Sequence, residues 1–322
     1  MIKSKKKLLW SEKYRPKKLD NIIGQDNIVN SIKKMLKNGS FPHMLFHGIS
    51  GTGKTSVIMT IARELYGNNL TFMVMKLDAS DDRGINSVRE EIKGFAEKIT
   101  IFNKGIKLII LDEADSMTFD AQFALRRIIE KYSDTTRFCL ICNYENKIIS
   151  PIKSRCANFR FQPIKEKYLV QRLDKISKKE KIKIDNKSLN IIANLAKGDF
   201  RKGINLLQSV SLRSDNINEE VCYNISGIPP VKVINKIFRY LINDKYDFDK
   251  VYKLFKKNLT NSYSVSIILK ELISRIILNI DNFEDKKLAK ITSELSDLES
   301  KVSNSTFGDI YLTSIISIFK SN

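Results

Sequence analysis

The segment Gly48-Ile49-Ser50-Gly51-Thr52-Gly53-Lys54-Thr55 has the glycine spacing and the lysine–hydroxyl ending of a phosphate-binding turn. Glycines let backbone N–H groups converge on an anion at a helix N-terminus, where the helix dipole favours negative charge. Lys54 is placed to reach β- and γ-phosphates, and the Thr55 hydroxyl to help hold Mg²⁺. A short apolar run, Met44-Leu45-Phe46, precedes the segment, and Val57-Ile58-Met59-Thr60-Ile61-Ala62 follows it. The turn is therefore expected between a strand and a helix, the setting of a nucleotide-binding P-loop.

A second chemical site follows at Lys107-Leu108-Ile109-Ile110-Leu111-Asp112-Glu113-Ala114-Asp115. The apolar run suits a strand buried on both faces of a parallel sheet. Its carboxylates then emerge at the C-terminal end, where doubly wound sheets place their ligands. Asp112 is expected to bind Mg²⁺ through its water shell, and Glu113 to orient or deprotonate an attacking water.

Positioning these groups requires an alternating α/β domain. From about Trp10 to Pro163, candidate strands fall at Met44–His47, Phe72–Leu77, Leu108–Leu111, Phe138–Cys142 and Asn158–Phe161, with helical patterns between them. That alternation predicts a parallel sheet covered by helices on both faces. Beyond Pro163 the strand signals stop. A charged helix is expected from Lys165 to Ile182, and Asp185 is placed to cap a helix carrying Leu189, Ile192, Ala193 and Ala196. Gly227 to Pro230 breaks the pattern and reads as a linker. Past it, Val265, Ile268, Leu269, Leu272, Ile273 and Ile276 form one helical stripe. Core packing is the default account of that stripe, and a subunit interface stays open.

At 322 residues the chain should hold two or three domains, and 42% apolar residues suffice for real cores. No apolar run approaches the ~18 residues of a membrane span, so no membrane partner is expected. The N-terminus is basic but lacks the apolar core and cleavage site of a signal peptide. Cys139 and Cys142 have a C-x-x-C spacing inside an apolar run, with no second pair and only His43 and His47 as histidines. Buried thiols in a reducing, intracellular compartment account for this better than zinc. Lys+Arg of 56 against Asp+Glu of 36 gives a net charge of +20, a field that attracts nucleic acid. Lys, Asn and Ile abound throughout, so part of that charge follows from biased composition.

With these pieces placed, the chain resembles the small subunits of replication factor C, the AAA+ clamp loader of archaeal and eukaryotic-type replication. Trp10-Ser11-Glu12-Lys13-Tyr14-Arg15-Pro16, with Ile23-Gly24-Gln25, is similar to the family's N-terminal box over the adenine. Asp78-Ala79-Ser80-Asp81-Asp82-Arg83-Gly84-Ile85 is similar to its DNA-facing segment, and Ala124-Leu125-Arg126-Arg127 and Thr136-Arg137-Phe138 match in family order. The resemblance implies ATP with Mg²⁺ in the P-loop and Tyr14, Arg15 and Pro16 at the base. It implies a sensor role for Asn143, and an arginine finger at Arg155 of Ser154-Arg155-Cys156 that acts in trans on a neighbour's ATP. Arg201 of Gly198-Asp199-Phe200-Arg201 takes the second sensor position, since a guanidinium stabilises charge on transferring phosphate oxygens. Two positions depart from the family. Ile49-Ser50 stands where two prolines are usual, and Asp78 replaces a common asparagine.

The implied architecture is an AAA+ domain over 1–163, a helical lid over 164–228 and an all-α collar over 229–322. The implied partners are other subunits of a hetero-oligomer, five-membered by resemblance, together with a sliding clamp and primer–template DNA at the site of replication. Arg83 ahead of a helix, and Asn86, Arg89 and Lys93 along one face of it, are candidates for sequence-independent phosphate contacts. A plain solvated helix face is the alternative to that reading. Two other functions stay open. A different AAA+ DNA motor or helicase loader would share the P-loop and sensors, and a non-hydrolysing structural subunit would keep only the fold.

Overall fold

The apolar runs assemble into one parallel sheet because their neighbours supply helices for both of its faces. In chain order the elements are α1 (Trp10–Lys13), α2 (Asp26–Lys37), β1 (Met44–His47), α3 (Lys54–Tyr66), α4 (Leu70–Met73), β2 (Val74–Asp78) and α5 (Ile85–Glu97). They continue with β3 (Lys107–Asp112), α6 (Phe119–Lys131), β4 (Thr136–Cys142), α7 (Ser150–Lys153) and β5 (Ala157–Arg160). The computed structural model describes residues 9–39, 41–79, 85–98, 105–214, 216–243, 245–259, 263–303 and 309–321; for 85–89, 258, 259, 282, 303 and 309 this covers the backbone alone.

Among the described residues the sheet has five strands in the order β2-β3-β4-β1-β5, every adjacent pair parallel. Leu108, Ile109, Ile110 and Leu111 are all 0% exposed, as a strand between two helical layers requires. Alternation divides them. Leu108 and Ile110 pack with Phe46, Ile141, Val57, Ile58 and Ile61 on one face, and Ile109 and Leu111 with Leu45, Leu140, Ile92, Leu125 and Ile152 on the other. Cys139 and Cys142 fall on opposite faces for the same reason, as free and buried thiols. The C-terminal strand ends carry His47, Asp78, Asp112 and Cys142 into the loops that form the site.

One strand begins later than its composition suggests. Phe72 and Met73 lie in α4, and β2 starts at Val74. Among the described residues its only ladder partner is β3, where Val74 faces Leu108 close to that strand's first residue, so the residues before Val74 have no ladder to join. Helical hydrogen bonding takes over, burying Met73 and leaving Phe72 exposed.

The chain forms two compact units, Met1–Gln208 and Ser209–Asn322. The first also contains α8 (Glu166–Lys179), α9 (Asn186–Ala196) and most of α10 (Phe200–Arg213). Asp185 caps α9 by accepting a hydrogen bond from the Ser188 N–H at 2.9 Å. The second unit is built from α11 (Glu219–Ser226), α12 (Val231–Ile242), α13 (Phe248–Leu259), α14 (Val265–Leu278), α15 (Asp285–Ser303) and α16 (Asp309–Lys320). Gly227 at φ +67° ends α11, and Pro230 precedes α12. The stripe Val265, Ile268, Leu269, Leu272 and Ile276 is buried in the core of this unit against Ile237, Phe255, Leu295 and Ile315. Each such side chain contributes about 1.5–3 kcal/mol by leaving water. Among the described residues, no helix is long and apolar enough to cross a membrane.

Candidate nucleotide site

At the end of β1 the chain turns sharply before entering α3. Gly48 (φ +139°), Gly51 (φ +69°) and Gly53 (φ +101°) make that turn before α3 starts at Lys54. A β-carbon on Gly48 would lie 2.2 Å from the Phe161 carbonyl oxygen, so only glycine fits there. Buried Gln25 braces the turn, its side-chain amide donating to the Thr52 carbonyl at 3.5 Å and to the Gln162 carbonyl at 2.8 Å.

Lys54 is 7% exposed. Its ammonium donates to the carbonyls of Gly48 at 2.7 Å and Ile49 at 2.9 Å, and to Asn143 Oδ1 at 3.0 Å. Burial holds its pKa below the ordinary lysine value, against the opposing pull of Cys142, Asp112, Asp115 and Asp199. Beside it the Thr55 hydroxyl donates to Asp112 Oδ2 at 3.1 Å. Lys76 on β2 pairs with that same oxygen at 3.1 Å, a contact the sequence pattern does not single out. Glu113 follows with an exposed side chain and a φ of 54°, in the left-handed region. For a residue with a β-carbon this conformation costs about 1–2 kcal/mol, and it breaks the strand direction immediately after Asp112.

Two further side chains escape sequence reading. Asp115 Oδ2 accepts from the Asn143 N–H at 3.2 Å and the Tyr144 N–H at 3.1 Å, tying the end of β3 to the end of β4. Gln122, 1% exposed on α6, donates to the Lys147 carbonyl at 2.9 Å and accepts from the Ile149 N–H at 2.9 Å. It thereby fastens the segment leading from Asn143 towards α7. Neither residue type carries a pattern that names its role, and only its tertiary partners reveal its use. The third acid of Asp112-Glu113-Ala114-Asp115 was the one available signal.

The helical part of the same unit closes over the turn. Phe200 N–H donates to the Gly51 carbonyl at 3.1 Å, and Asp199 Oδ1 accepts from the Lys202 N–H at 2.9 Å. Arg201 is thus carried to the cleft on the first turn of α10. From the other side, the Tyr14 hydroxyl bonds Glu180; burial first, then this carboxylate, push its pKa up to about 12. Arg15 pairs with Glu12 at 2.9 Å.

A cleft of about 290 Å³ brings these groups together, lined by Tyr14, Arg15, Pro16, Ser50 to Ser56, Lys76, Asp78, Asp112, Glu113, Asn143 and Arg201. Gly48 and Ile49 contribute carbonyls to Lys54 rather than lining surface. Arg155 lies elsewhere, exposed, with Nη2 2.5 Å from Glu130 Oε1 and Nη1 donating to the Pro151 carbonyl at 2.7 Å. Of the candidate DNA contacts, Arg83 lies outside the described residues. Asn86 and Arg89 are described only as backbone of α5, and Lys93 is exposed on that helix.

The Thr55 hydroxyl and Asp112 carboxylate are hard oxygen donors meeting at 3.1 Å beside the anion-ready turn. Such a pair fits Mg²⁺, which takes few protein ligands and keeps water and phosphate oxygens. No cluster of His, Cys, Asp and Glu suited to an all-protein metal cage occurs among the described residues.

Residues 44–164 match the ATPase family associated with various cellular activities (AAA), 171–212 the RCF1/5-like AAA+ ATPase lid domain, and 229–317 the replication factor C C-terminal domain. A probable replication factor C subunit 5 of Dictyostelium discoideum is 45% identical over 97% of this chain and 90% of its own length. Replication factor C subunit 3 of Saccharomyces cerevisiae is 38% identical over 99% and 95%, and a replication factor C small subunit of Sulfolobus acidocaldarius 46% over 74% and 73%. Among solved structures, the Thermotoga maritima RuvB Holliday junction branch migration motor superposes with a TM-score of 0.53 at 18% identity, covering 80% of this chain and 91% of that one. That likeness concerns the fold alone. Family matches spanning sheet, lid and C-terminal helices, with relatives aligned over nearly the whole chain, lead to one assignment: the chain belongs to the replication factor C small-subunit family of AAA+ ATPases.

Proposed function

We propose that this chain is an ATP-hydrolysing subunit of a sliding-clamp loader, coupling ATP binding and hydrolysis to placement of a clamp on primer–template DNA. One observation carries the reading: Lys54, Thr55, Asp112, Glu113, Asn143 and Arg201 line a single cleft in a chain of this family. Lys54 exchanges its loop carbonyls for the β- and γ-phosphates, and the amides of Ser50 to Thr55 cradle them. Thr55 and Asp112 hold Mg²⁺, which when bound neutralises phosphate charge. Glu113 orients and deprotonates the attacking water, Asn143 hydrogen-bonds the γ-phosphate or that water, and Arg201 steadies the phosphates from α10. Tyr14, Arg15 and Pro16 border the base.

Arg155 serves the ATP of an adjacent subunit, a heterologous contact that builds a ring or spiral of several different subunits. Its exposure and its absence from the lining of its own chain's cleft support that use. Arg83, Asn86, Arg89 and Lys93 grip the DNA backbone without reading sequence. The divisions 1–163, 164–228 and 229–322 act as nucleotide domain, lid and oligomerising collar, working where DNA is replicated. Among AAA+ machines, the C-terminal family match favours the loader over a branch-migration motor. The intact Lys54, Thr55, Asp112 and Glu113 favour hydrolysis over a purely structural subunit. The test is a pair of variants. Lys54→Ala should lose ATP binding, and Glu113→Gln should keep it while slowing hydrolysis. Equal loss of affinity in both would defeat this division of roles.

A further inference from the structure

Asp112 Oδ2 already has a cation. The Lys76 ammonium stands 3.1 Å from it, and the Thr55 hydroxyl donates to the same oxygen at 3.1 Å. Lys76 belongs to the cleft by position as well as by reach. It shares a face of β2 with Asp78, two residues on, and Asp78 stands in register with Asp112 on β3. Lys76, Asp78, Asp112 and Glu113 all line the cavity, with Lys54 beside them, so the Lys76 ammonium faces a cluster of three carboxylates. The Asp112 side chain is only 16% exposed, against 38% for Lys76. Solvent alone therefore does little for this carboxylate, and the long lysine side chain has room to swing away.

The geometry points to Lys76 as a resident counter-ion that sets the magnesium affinity of this site. The inference rests on reading the cleft as a magnesium–nucleotide site. Before nucleotide arrives, the ammonium neutralises Asp112 and holds its Oδ2 towards Thr55, so the metal ligands are arranged in advance. A divalent cation entering at Thr55 and Asp112 meets a positive charge already in place, and a bound cation is the largest local charge in such a site. Lys76 then releases Asp112 and moves outward through its exposed side. The consequence is a higher magnesium requirement for nucleotide binding than the carboxylates alone would set.

A magnesium titration of the full chain, at fixed fluorescent ATP analogue, tests this with Lys76→Met and Lys76→Arg. Removing one charge within a few ångströms of a divalent ion shifts its binding about tenfold even in a water-like dielectric. Lys76→Met should therefore lower the magnesium midpoint by about tenfold, whereas Lys76→Arg should keep it near the wild-type value. An unchanged or raised midpoint in Lys76→Met, with nucleotide still bound, overturns the counter-ion role while leaving the nucleotide site standing. Magnesium-independent binding, or no binding, by the wild-type chain would overturn the underlying reading and this inference with it. Because the Lys76 side chain is partly exposed on an edge strand, either variant should fold, and the shared Trp10 fluorescence signal verifies it.

Discussion

Gly51→Ala should destabilise the first unit through a residue almost 150 positions away, because Asp199 occupies the space a side chain would need. Two costs add. Gly51 has φ +69°, where an L-residue loses about 1 kcal/mol. Its β-carbon would also lie 1.7 Å from Asp199 Oδ1, a separation no pair of atoms sustains. The carboxylate must swing away, losing its bond to the Lys202 N–H at 2.9 Å and with it a helix cap worth about 1 kcal/mol. The single substitution should cost ~2 kcal/mol in sum. In an Asp199→Ala background the cap is already gone and the crowding relieved, so adding Gly51→Ala should cost only the ~1 kcal/mol of backbone strain. Urea unfolding followed by Trp10 measures this cleanly. Trp10 is the sole tryptophan, and its backbone N–H donates to Gln208 on α10 at 3.0 Å. Equal costs in both backgrounds would refute the contact between the P-loop and α10.

Arg155→Ala should leave ATP affinity of its own subunit nearly unchanged, since Arg155 does not line that cleft. In a ring assembled with one mutant subunit, hydrolysis should fall at the adjacent site by up to ~10³-fold; a defect confined to the mutant's own site would defeat action in trans. Acid should weaken the first unit through His43. Burial, then the charge of Arg137, lower its pKa from 6.5 to about 4, while its Nδ1 accepts the Phe138 N–H. Between those values the unfolded chain binds a proton that the folded one refuses, so stability should drop as pH falls from 6.5 towards 4. His43→Asn should flatten that slope in urea titrations, and an unchanged slope would assign the acid sensitivity to other groups.

The strands most legible in sequence were those buried on both faces. Met44–Phe46 and the run through Leu108–Leu111 announce themselves because every residue must be apolar, whichever helix layer it meets. Phe72 and Met73 misled because composition cannot show that an edge strand runs out of partner. Lys54, Thr55, Asp112 and Glu113 were readable from spacing, since phosphate chemistry dictates both residue type and order. Asn143, Arg155 and Arg201 entered only through resemblance to a family, because one amide or guanidinium carries no pattern of its own. Lys76, Asp115, Gln122 and Asp199 were missed for a related reason. Their partners lie on other elements, and only the folded chain brings a β2 lysine to a β3 carboxylate or the aspartate that caps α10 over the P-loop.

The most direct measurement is ATP hydrolysis by the reconstituted assembly, with and without its clamp and primed DNA, comparing the wild-type chain with Lys54→Ala. The account predicts that clamp and primed DNA together stimulate hydrolysis, and that Lys54→Ala in this chain removes its share of the stimulated rate. A rate indifferent to clamp and DNA would contradict the clamp-loading function. A stimulated rate that survives Lys54→Ala undiminished would contradict hydrolysis by this subunit.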